Sequence, residues 1–352
     1  MSGTSSSAPG DFALTADPVL SRNALVRDEN LRLDPDYVRD SWPKARVVVV
    51  DDAGRTPVDW LVRPGREFRE TDAAAWDDAA GRDGRIRTRA GLDLAAAPPA
   101  EAVLLGESDG VPYWAMRADT GKTADSDVFA GEQGEWADLR AAGAVLDPLG
   151  AGLLTGAVAT LNWHDRARFC AVDGTPTRPH NAGWARICGN GHEEYPRTDP
   201  AIICLVHDGA DRVLLARQPV WPEGRYSVLA GFVESGESLE ACVHREIGEE
   251  VGIAVSDVRY LGSQAWPFPR SLMLGFHAIG DPEVPLRPAE GEIADALWIT
   301  RAQLRAALAR GDWGSGPDPA DAADPVAGPV VMLPGRVSIA RTMLESWAAA
   351  GG

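Results

Sequence analysis

The sequence predicts an α+β protein whose C-terminal domain is a mixed β-sheet sandwiched by helices, preceded by a smaller β-rich domain and a short cysteine-bearing segment. Three observations predict it. From Ala201 onward, runs rich in Val, Ile and Leu alternate with helical patterns, one of them strongly acidic. Between about Leu20 and Leu146, short strand signals predominate. The 352 residues, 45% of them hydrophobic, suffice for two or more domains with their own cores.

Residues 1–18 are rich in Ser, Gly, Ala and Asp without periodicity and predict a disordered tail. A first domain is expected over 19–165. In it ARVVVV, ending at Val50, reads as a strand, and AVLLGESDGVPYWAM reads as a hairpin turning at Asp109 and Gly110. Trp60, Tyr113 and Trp114 read as core aromatics. Apolar Leu153, Leu154, Ala157, Leu161 and Trp163 predict a helix from Gly150 to Trp163 that leads out of this domain.

Residues 166–196 carry Cys170 and Cys188 on either side of a Pro-, Thr-, Asp- and Gly-rich stretch, an arrangement like a degenerate zinc ribbon. A full ribbon repeats CxxC; here Asp173 takes the second ligand position and Gly191 the fourth, with His192 next to it. Two readings stand: Cys170, Cys188, His192 and Asp173 hold zinc, or the ribbon persists by packing alone. Cys204 and Cys242 lie in apolar patterns and read as buried side chains. His164, His180, His207, His244 and His277 have no partner at ligand spacing.

The last domain is expected over 197–352. Ala201–Val206, Val213–Arg217, Tyr226–Ala230, Val258–Gln264, Leu272–Ala278 and Leu297–Ile299 read as strands. Arg301–Ala309 and Ser338–Ala349 read as helices, with a Pro-, Gly- and Asp-rich loop from Gly311 to Gly328 between them.

The acidic helix is the stretch that carries chemistry. Ser238 suits its N-cap, and Gly252 sits where a left-handed residue would end it. Leu239, Val243, Ile247 and Val251 form its apolar stripe, while Glu246, Glu249 and Glu250 share an adjoining arc of about 100°. Like charges four apart cost an isolated helix roughly 0.2–0.5 kcal/mol per pair, so three carboxylates beside a core call for a cation. Hard oxygen ligands select magnesium or manganese, ions suited to binding a diphosphate and activating water. Glu237 lies just before the helix, in the preceding loop.

The charge of −18 disfavours nonspecific binding to nucleic acid or to anionic membranes. No apolar run reaches the length of a membrane span, and the first residues lack the pattern of a secretion signal. Four cysteines without the density of a disulfide framework agree with a reducing compartment, so a cytoplasmic protein with no membrane partner is expected.

The spacing of the acidic stretch is also specific. In GFVESGESLEACVHREIGEEVGI five residues separate Gly231 from Glu237, seven more precede Arg245 and Glu246, and Ile247, Glu249, Glu250, Gly252 and Ile253 follow in fixed places. This resembles the Nudix box at every constrained position, a coincidence with a chance probability on the order of 10⁻⁷, whereas a solvated acidic face would need no such spacing. Ten residues later SQAWPFPRS, from Ser263, is similar to the SQPWPFPxS signature of NADH pyrophosphatases, with Ala265 in place of a proline. The order of RFC, ribbon, YPRTDPAII, box, signature and SIARTMLESW also matches that family. The prolines after Trp266 and Phe268 restrict both aromatic residues and stiffen the loop.

The resemblance implies a Nudix fold and a divalent-metal-dependent hydrolysis of the diphosphate of NAD(H) to AMP and nicotinamide mononucleotide, and also removal of an NAD cap from RNA. It implies that Glu246, Glu249, Glu250 and, from outside the box, Glu292 bind Mg²⁺ or Mn²⁺. Phe232 resembles the ring that stacks on nicotinamide, opposed by Tyr195 of a second subunit in a homodimer. Ile203, Ser271 and Ala340 resemble pocket positions, with Gln264 and Trp266 contributed by the signature, while Gly231, Glu237, Arg245 and Gly252 keep structural roles in the box. Arg245 resembles the box arginine that orients a carboxylate, here Glu237. The closest alternative is a Nudix hydrolase preferring ADP-ribose or a diadenosine polyphosphate; a ligand-sensing regulator would show a damaged box and a basic DNA-binding module.

Overall fold

A computed structural model describes residues 10–22, 24–62, 82–118, 135–313 and 331–350. Residues 1–9 of the expected tail and 314–328 of the expected loop lie outside these. In the first domain the elements are α1 (Glu29–Leu33), α2 (Pro35–Ser41), β1 (Arg46–Val50), β2 (Thr56–Val62), β3 (Arg82–Ile86), β4 (Arg89–Ala90) and α3 (Gly91–Leu94). They continue with β5 (Val103–Ser108), β6 (Val111–Arg117), β7 (Glu135–Ala137), α4 (Leu139–Ala142) and α5 (Pro148–Arg166). Alternation decides how they pack. Val48 and Val50 of β1 face α5 through Leu154, Ala157 and Leu161, while Val47 and Val49 turn to the opposite face, against Trp42 and Trp114. Those two indoles meet edge to face at 5.5 Å, and half-buried Trp60 and Tyr113 close the α5 side. The hairpin between β5 and β6 turns at Asp109 (φ 51°) and Gly110 (φ 75°), the left-handed pair that a tight two-residue turn requires.

The long helix α5 starts where Asp147 accepts from the Gly150 N–H and Pro148 occupies the first turn. It carries the chain to a small antiparallel sheet of β8 (Thr177–His180), β9 (Ala185–Cys188) and β10 (Glu193–Glu194).

The C-terminal domain holds β11 (Asp199–His207), β12 (Arg212–Arg217), β13 (Leu229–Phe232), α6 (Leu239–Val251), β14 (Val255–Trp266), β15 (Ser271–Gly280), β16 (Asp295–Thr300), α7 (Arg301–Arg310) and α8 (Ile339–Ala350). Its sheet runs β14-β15-β11-β12-β16, with β13 also paired to β11, and β11 with β15 is its parallel pair. Strand β11 is apolar at successive residues because both faces are covered: Ile202, Cys204 and Val206 pack under α6, while Ile203 and Leu205 pack on α8 through Ile339, Ala340 and Met343. Cys204 and Cys242 are fully buried, as their apolar surroundings predict.

Two expectations are corrected. Residues 10–18 do not behave as a tail: Phe12 and Leu14 pack on the C-terminal core, and the Thr15 N–H donates to Ser346 Oγ at 3.0 Å. His207 and His277 are not isolated either. Their rings face each other across β11 and β15 at 3.1 Å between nitrogens, capped by Phe12 at 4.9 Å from His277. The pairing joins positions 70 residues apart, which ligand spacing along a chain cannot reveal.

Candidate active site

The site is built where β13 turns into α6. Ser238 caps the helix by accepting from the Ala241 N–H at 3.1 Å, and Gly252 ends it in the left-handed conformation (φ 73°). Gly231 is required for closeness rather than for its dihedral angles. A Cβ there would lie 1.9 Å from the carboxyl carbon of Glu246, so the carboxylate rests on bare backbone.

One guanidinium fixes most of the remaining geometry. Arg245 donates to both oxygens of Glu237 at 2.8 and 2.9 Å, to Glu246 and Glu249 at 2.9 Å each, and to the Phe232 carbonyl at 2.9 Å. The expected Arg245–Glu237 pair is present, and the same side chain also gathers two glutamates of the helix. The hydrogen bonds from Arg245 hold the Glu237 carboxyl down to about 2, so it stays ionised.

Glu250 is the opposite case. It is 7% exposed, and its Oε2 is buried with no hydrogen-bond partner. Burial first, then the charges of Glu246 and Glu292, push its carboxyl up to about 8, and burial also raises that of Glu246. Glu292 arrives on the turn after Pro288, where the Ala289 N–H donates to the Glu250 carbonyl at 2.9 Å and the Glu292 N–H to the Ala289 carbonyl at 3.2 Å. Glu246, Glu249 and Glu292 thus lie near enough to act on the charge of Glu250, whose buried oxygen is unpartnered, while among the described residues the oxygens of these glutamates do not gather within 4.8 Å of one another. An all-oxygen donor set of this kind fits a hard divalent cation.

Glu250 opens onto a cavity of about 950 Å³ between the two large domains. Ile203, Trp266 and Ala340 line it, as the resemblance implies, together with Met273 and Arg140. Arg140 lies 3.9 Å over the ring of Phe268, which meets Trp266 edge to face at 4.9 Å, so the signature loop is braced by the first domain. Gln264 and Ser271 are placed differently. Gln264 is fully buried and its Nε2 donates to the Val337 carbonyl at 2.9 Å, so it holds the cavity wall from behind. Ser271 is buried at the start of β15, paired with Asp199 and Trp266, and does not line the cavity. Phe232 and Tyr195 both project outward, 59% and 61% exposed, and Tyr195 donates to Glu193. Sequence reasoning passed over Trp221 and Trp313, which line the same cavity; their signal was large aromatic side chains in polar loops.

The cysteine segment forms a second cluster. Ligand atoms of Cys170, Asp173, Cys188 and His192 all lie within 4.8 Å of one another. The His192 Nδ1 is 3.2 Å from Asp173 and 3.5 Å from the Cys170 sulfur, and the N–H groups of Val172 and His192 point at the two sulfurs. The one-residue shift of His192 past Gly191 is absorbed by the turn, where Gly191 takes φ 85°. Two thiols, an imidazole and a carboxylate form a set that can hold a tetrahedral metal.

Among proteins of known family, residues 197–317 match the NUDIX domain, 165–195 the NADH pyrophosphatase zinc ribbon domain, and 61–163 the NADH pyrophosphatase-like rudimentary NUDIX domain. The chain is therefore a Nudix hydrolase with a reduced second copy of the same domain ahead of it, a duplication with no visible repeat in sequence. It is 48% identical to the NAD-capped RNA hydrolase NudC of Mycobacterium tuberculosis (strain H37Rv), over 96% of this chain and 97% of that protein. The mitochondrial NAD(P)H pyrophosphatase NUDT13 of Mus musculus is 38% identical over 70% of this chain and 71% of its own. The chain belongs to the NADH pyrophosphatase family of Nudix hydrolases.

The raised Glu250 carboxyl predicts a pH dependence. Below pH 4.5, its ordinary value, folded and unfolded states both keep the proton. Between there and about 8 the unfolded chain releases a proton that the folded chain retains, so stability falls as pH rises. The full loss is on the order of 5 kcal/mol. Metal-free protein should melt at progressively lower temperature across this window, Glu250→Gln should flatten the trend, and added Mg²⁺ or Mn²⁺ should restore the wild type at high pH. Melting curves in chelator across the pH series check this, and parallel trends for wild type and variant would remove Glu250 as the source.

Proposed function

We propose that this protein hydrolyses the diphosphate of NAD(H) to AMP and nicotinamide mononucleotide, and that it removes the NAD cap from RNA by cutting the same bond. The observation that carries the reading is the unpartnered buried oxygen of Glu250, set among Glu246, Glu249 and Glu292 at the edge of an aromatic-lined cavity. The names of the two relatives point to the same substrates. Water adds to one phosphorus, the bridging P–O bond breaks, and two monophosphates leave. Magnesium or manganese held by the four glutamates would supply charge neutralisation on the phosphates and a more acidic bound water. Arg245 keeps Glu246 and Glu249 in position without substrate, so little reorganisation is left for the reaction. Incubation with NADH, NAD⁺, ADP-ribose, a diadenosine polyphosphate and NAD-capped RNA, with product identification, tests the reading. AMP and nicotinamide mononucleotide are expected from NADH in Mg²⁺ or Mn²⁺, and Glu249→Gln and Glu250→Gln should each lower turnover at least about 10²-fold. Preferential cleavage of ADP-ribose would overturn the substrate assignment, and near-normal turnover in both variants the metal set.

The protein acts as a homodimer in this reading, because Phe232 and the partner's Tyr195 would close on the two faces of nicotinamide. Support comes from two large rings left in solvent, Phe232 lying two residues along β13 from the cavity-lining Ala230. Phe232→Ala should reduce the preference for NADH over ADP-ribose by roughly 1–3 kcal/mol. Equal losses on both substrates would reduce Phe232 to packing, and an active monomer in light scattering would remove the role of Tyr195. The Cys170, Asp173, Cys188 and His192 cluster holds zinc, supported by the mutual approach of its four ligand atoms. Elemental analysis of protein purified without chelator should find about one zinc per chain, lost in Cys170→Ser; a metal-free, stably folded protein would favour packing alone. The reduced thiols agree with a cytoplasmic location, and no helix among the described residues is long and apolar enough to cross a membrane.

A further inference from the structure

The cavity has an aromatic surface at the end away from Phe232. Trp221, in the loop between β12 and β13, and Trp313, after α7, bring their rings to 4.8 Å at an interplanar angle of 53°. Both indoles are half-buried and both line the cavity with Glu250 and Arg336. They are fixed in place rather than loosely exposed. The Trp313 indole N–H donates to the Met332 carbonyl at 3.0 Å and its backbone N–H to Leu333 at 3.0 Å, while the Met332 N–H donates to Gly224, in the loop that carries Trp221. On the other side Arg217 donates to the Trp221 carbonyl at 3.3 Å, and the Arg217 carbonyl accepts from Ala294, two residues from Glu292.

Position along the sheet gives this pair its meaning. Glu250 lies beside the backbone of Ala230, and Phe232 is two residues further along β13. In the other direction the chain runs back to Ser227, bridged to Ala216, the neighbour of the Arg217 that holds Trp221. Five residues of extended chain from Ser227 to Phe232 span roughly 16 Å. The carboxylates therefore sit between two aromatic surfaces, which is the layout a dinucleotide needs if its diphosphate is to reach the carboxylates with its two bases apart.

We infer that the Trp221–Trp313 pair is the platform on which the adenine of the substrate stacks, in a cavity that Arg336 also lines. At 4.8 Å the two rings touch, so a base cannot slide between them and stacks on the outer face of the pair. The Trp313 indole and the Trp221 main chain are each held by a hydrogen bond before substrate arrives, so little ordering is needed at binding. This inference rests on the proposed reading in which Phe232 takes the nicotinamide.

The test separates the two halves of the substrate. Inhibition of NADH hydrolysis by AMP and by nicotinamide mononucleotide is measured for wild type, Trp221→Leu, Trp313→Leu and the corresponding Trp→Phe variants. Losing a stacking face should weaken inhibition by AMP at least about 5-fold and change inhibition by nicotinamide mononucleotide less than about 2-fold, with Phe restoring most of the loss. Leucine keeps bulk without a π face, and the Phe variants report on folding. Equal losses for both nucleotides, or no loss for AMP, overturn the platform; a loss confined to nicotinamide mononucleotide overturns its assignment to adenine. If the wild type does not hydrolyse NADH, the proposed function fails instead, and calorimetric titration of AMP in Mg²⁺ against the same variants still decides the platform.

Discussion

The site depends on the hydrogen bonds of Arg245. A planar guanidinium has five N–H donors, and here they reach three carboxylates and one main-chain carbonyl. Without it Glu237, Glu246 and Glu249 would repel one another along one edge of the helix. With it, the preceding loop, the end of β13 and one edge of α6 become a single rigid unit. A lysine could not span these partners, because one ammonium group cannot present the paired donors that Glu237 receives. The bare Cα of Gly231 belongs to the same unit, since any side chain there would displace the Glu246 carboxylate that Arg245 holds.

That unit needs a fixed base, and β11 supplies it. Because β11 is buried on both faces, α6 and α8 are pinned to opposite sides of one strand. Ile203 points to the α8 side and into the cavity, while Ile202 and Cys204 hold the helix that bears the glutamates. The distance between the cavity wall and the carboxylates is thus set by the thickness of a sheet rather than by loops. The first domain completes the cavity through Arg140, whose guanidinium lies over Phe268, so the reduced domain is part of the site architecture, with no carboxylate among its described residues in the cavity lining.

Much of this was legible in the sequence, for local reasons. The caps Ser238 and Gly252, the apolar stripe through Val243 and Ile247, the doubly buried pattern of β11 and the Asp109–Gly110 turn are each written within a few consecutive residues. The parts that were not legible are those that distant segments build. The seat of Phe12 on the His207–His277 pair, the burial of Gln264 behind Val337 and the meeting of Trp221 with Trp313 join positions that no periodicity connects. The duplication of the Nudix-like domain was hidden for a related reason. The acidic box that would identify it is absent from residues 61–163.

The net charge of −18 does not exclude an anionic substrate, because the local arrangement outweighs the distant field. Screened charges beyond about 8–10 Å count for little at physiological salt, whereas Glu250 and its neighbours act at contact distance in a partly dry cavity. The acidic charge is confined to the Glu250 end, where Glu246 and Glu292 lie close by, while Arg140, Arg310, Arg336 and Arg341 line other parts of the same cavity. The uncompensated oxygen of Glu250 destabilises the fold at neutral and higher pH, and a cation bound there would relieve that destabilisation. Stability and cation binding would then be coupled through one carboxylate, a reason for burying so costly a group where it lines the cavity.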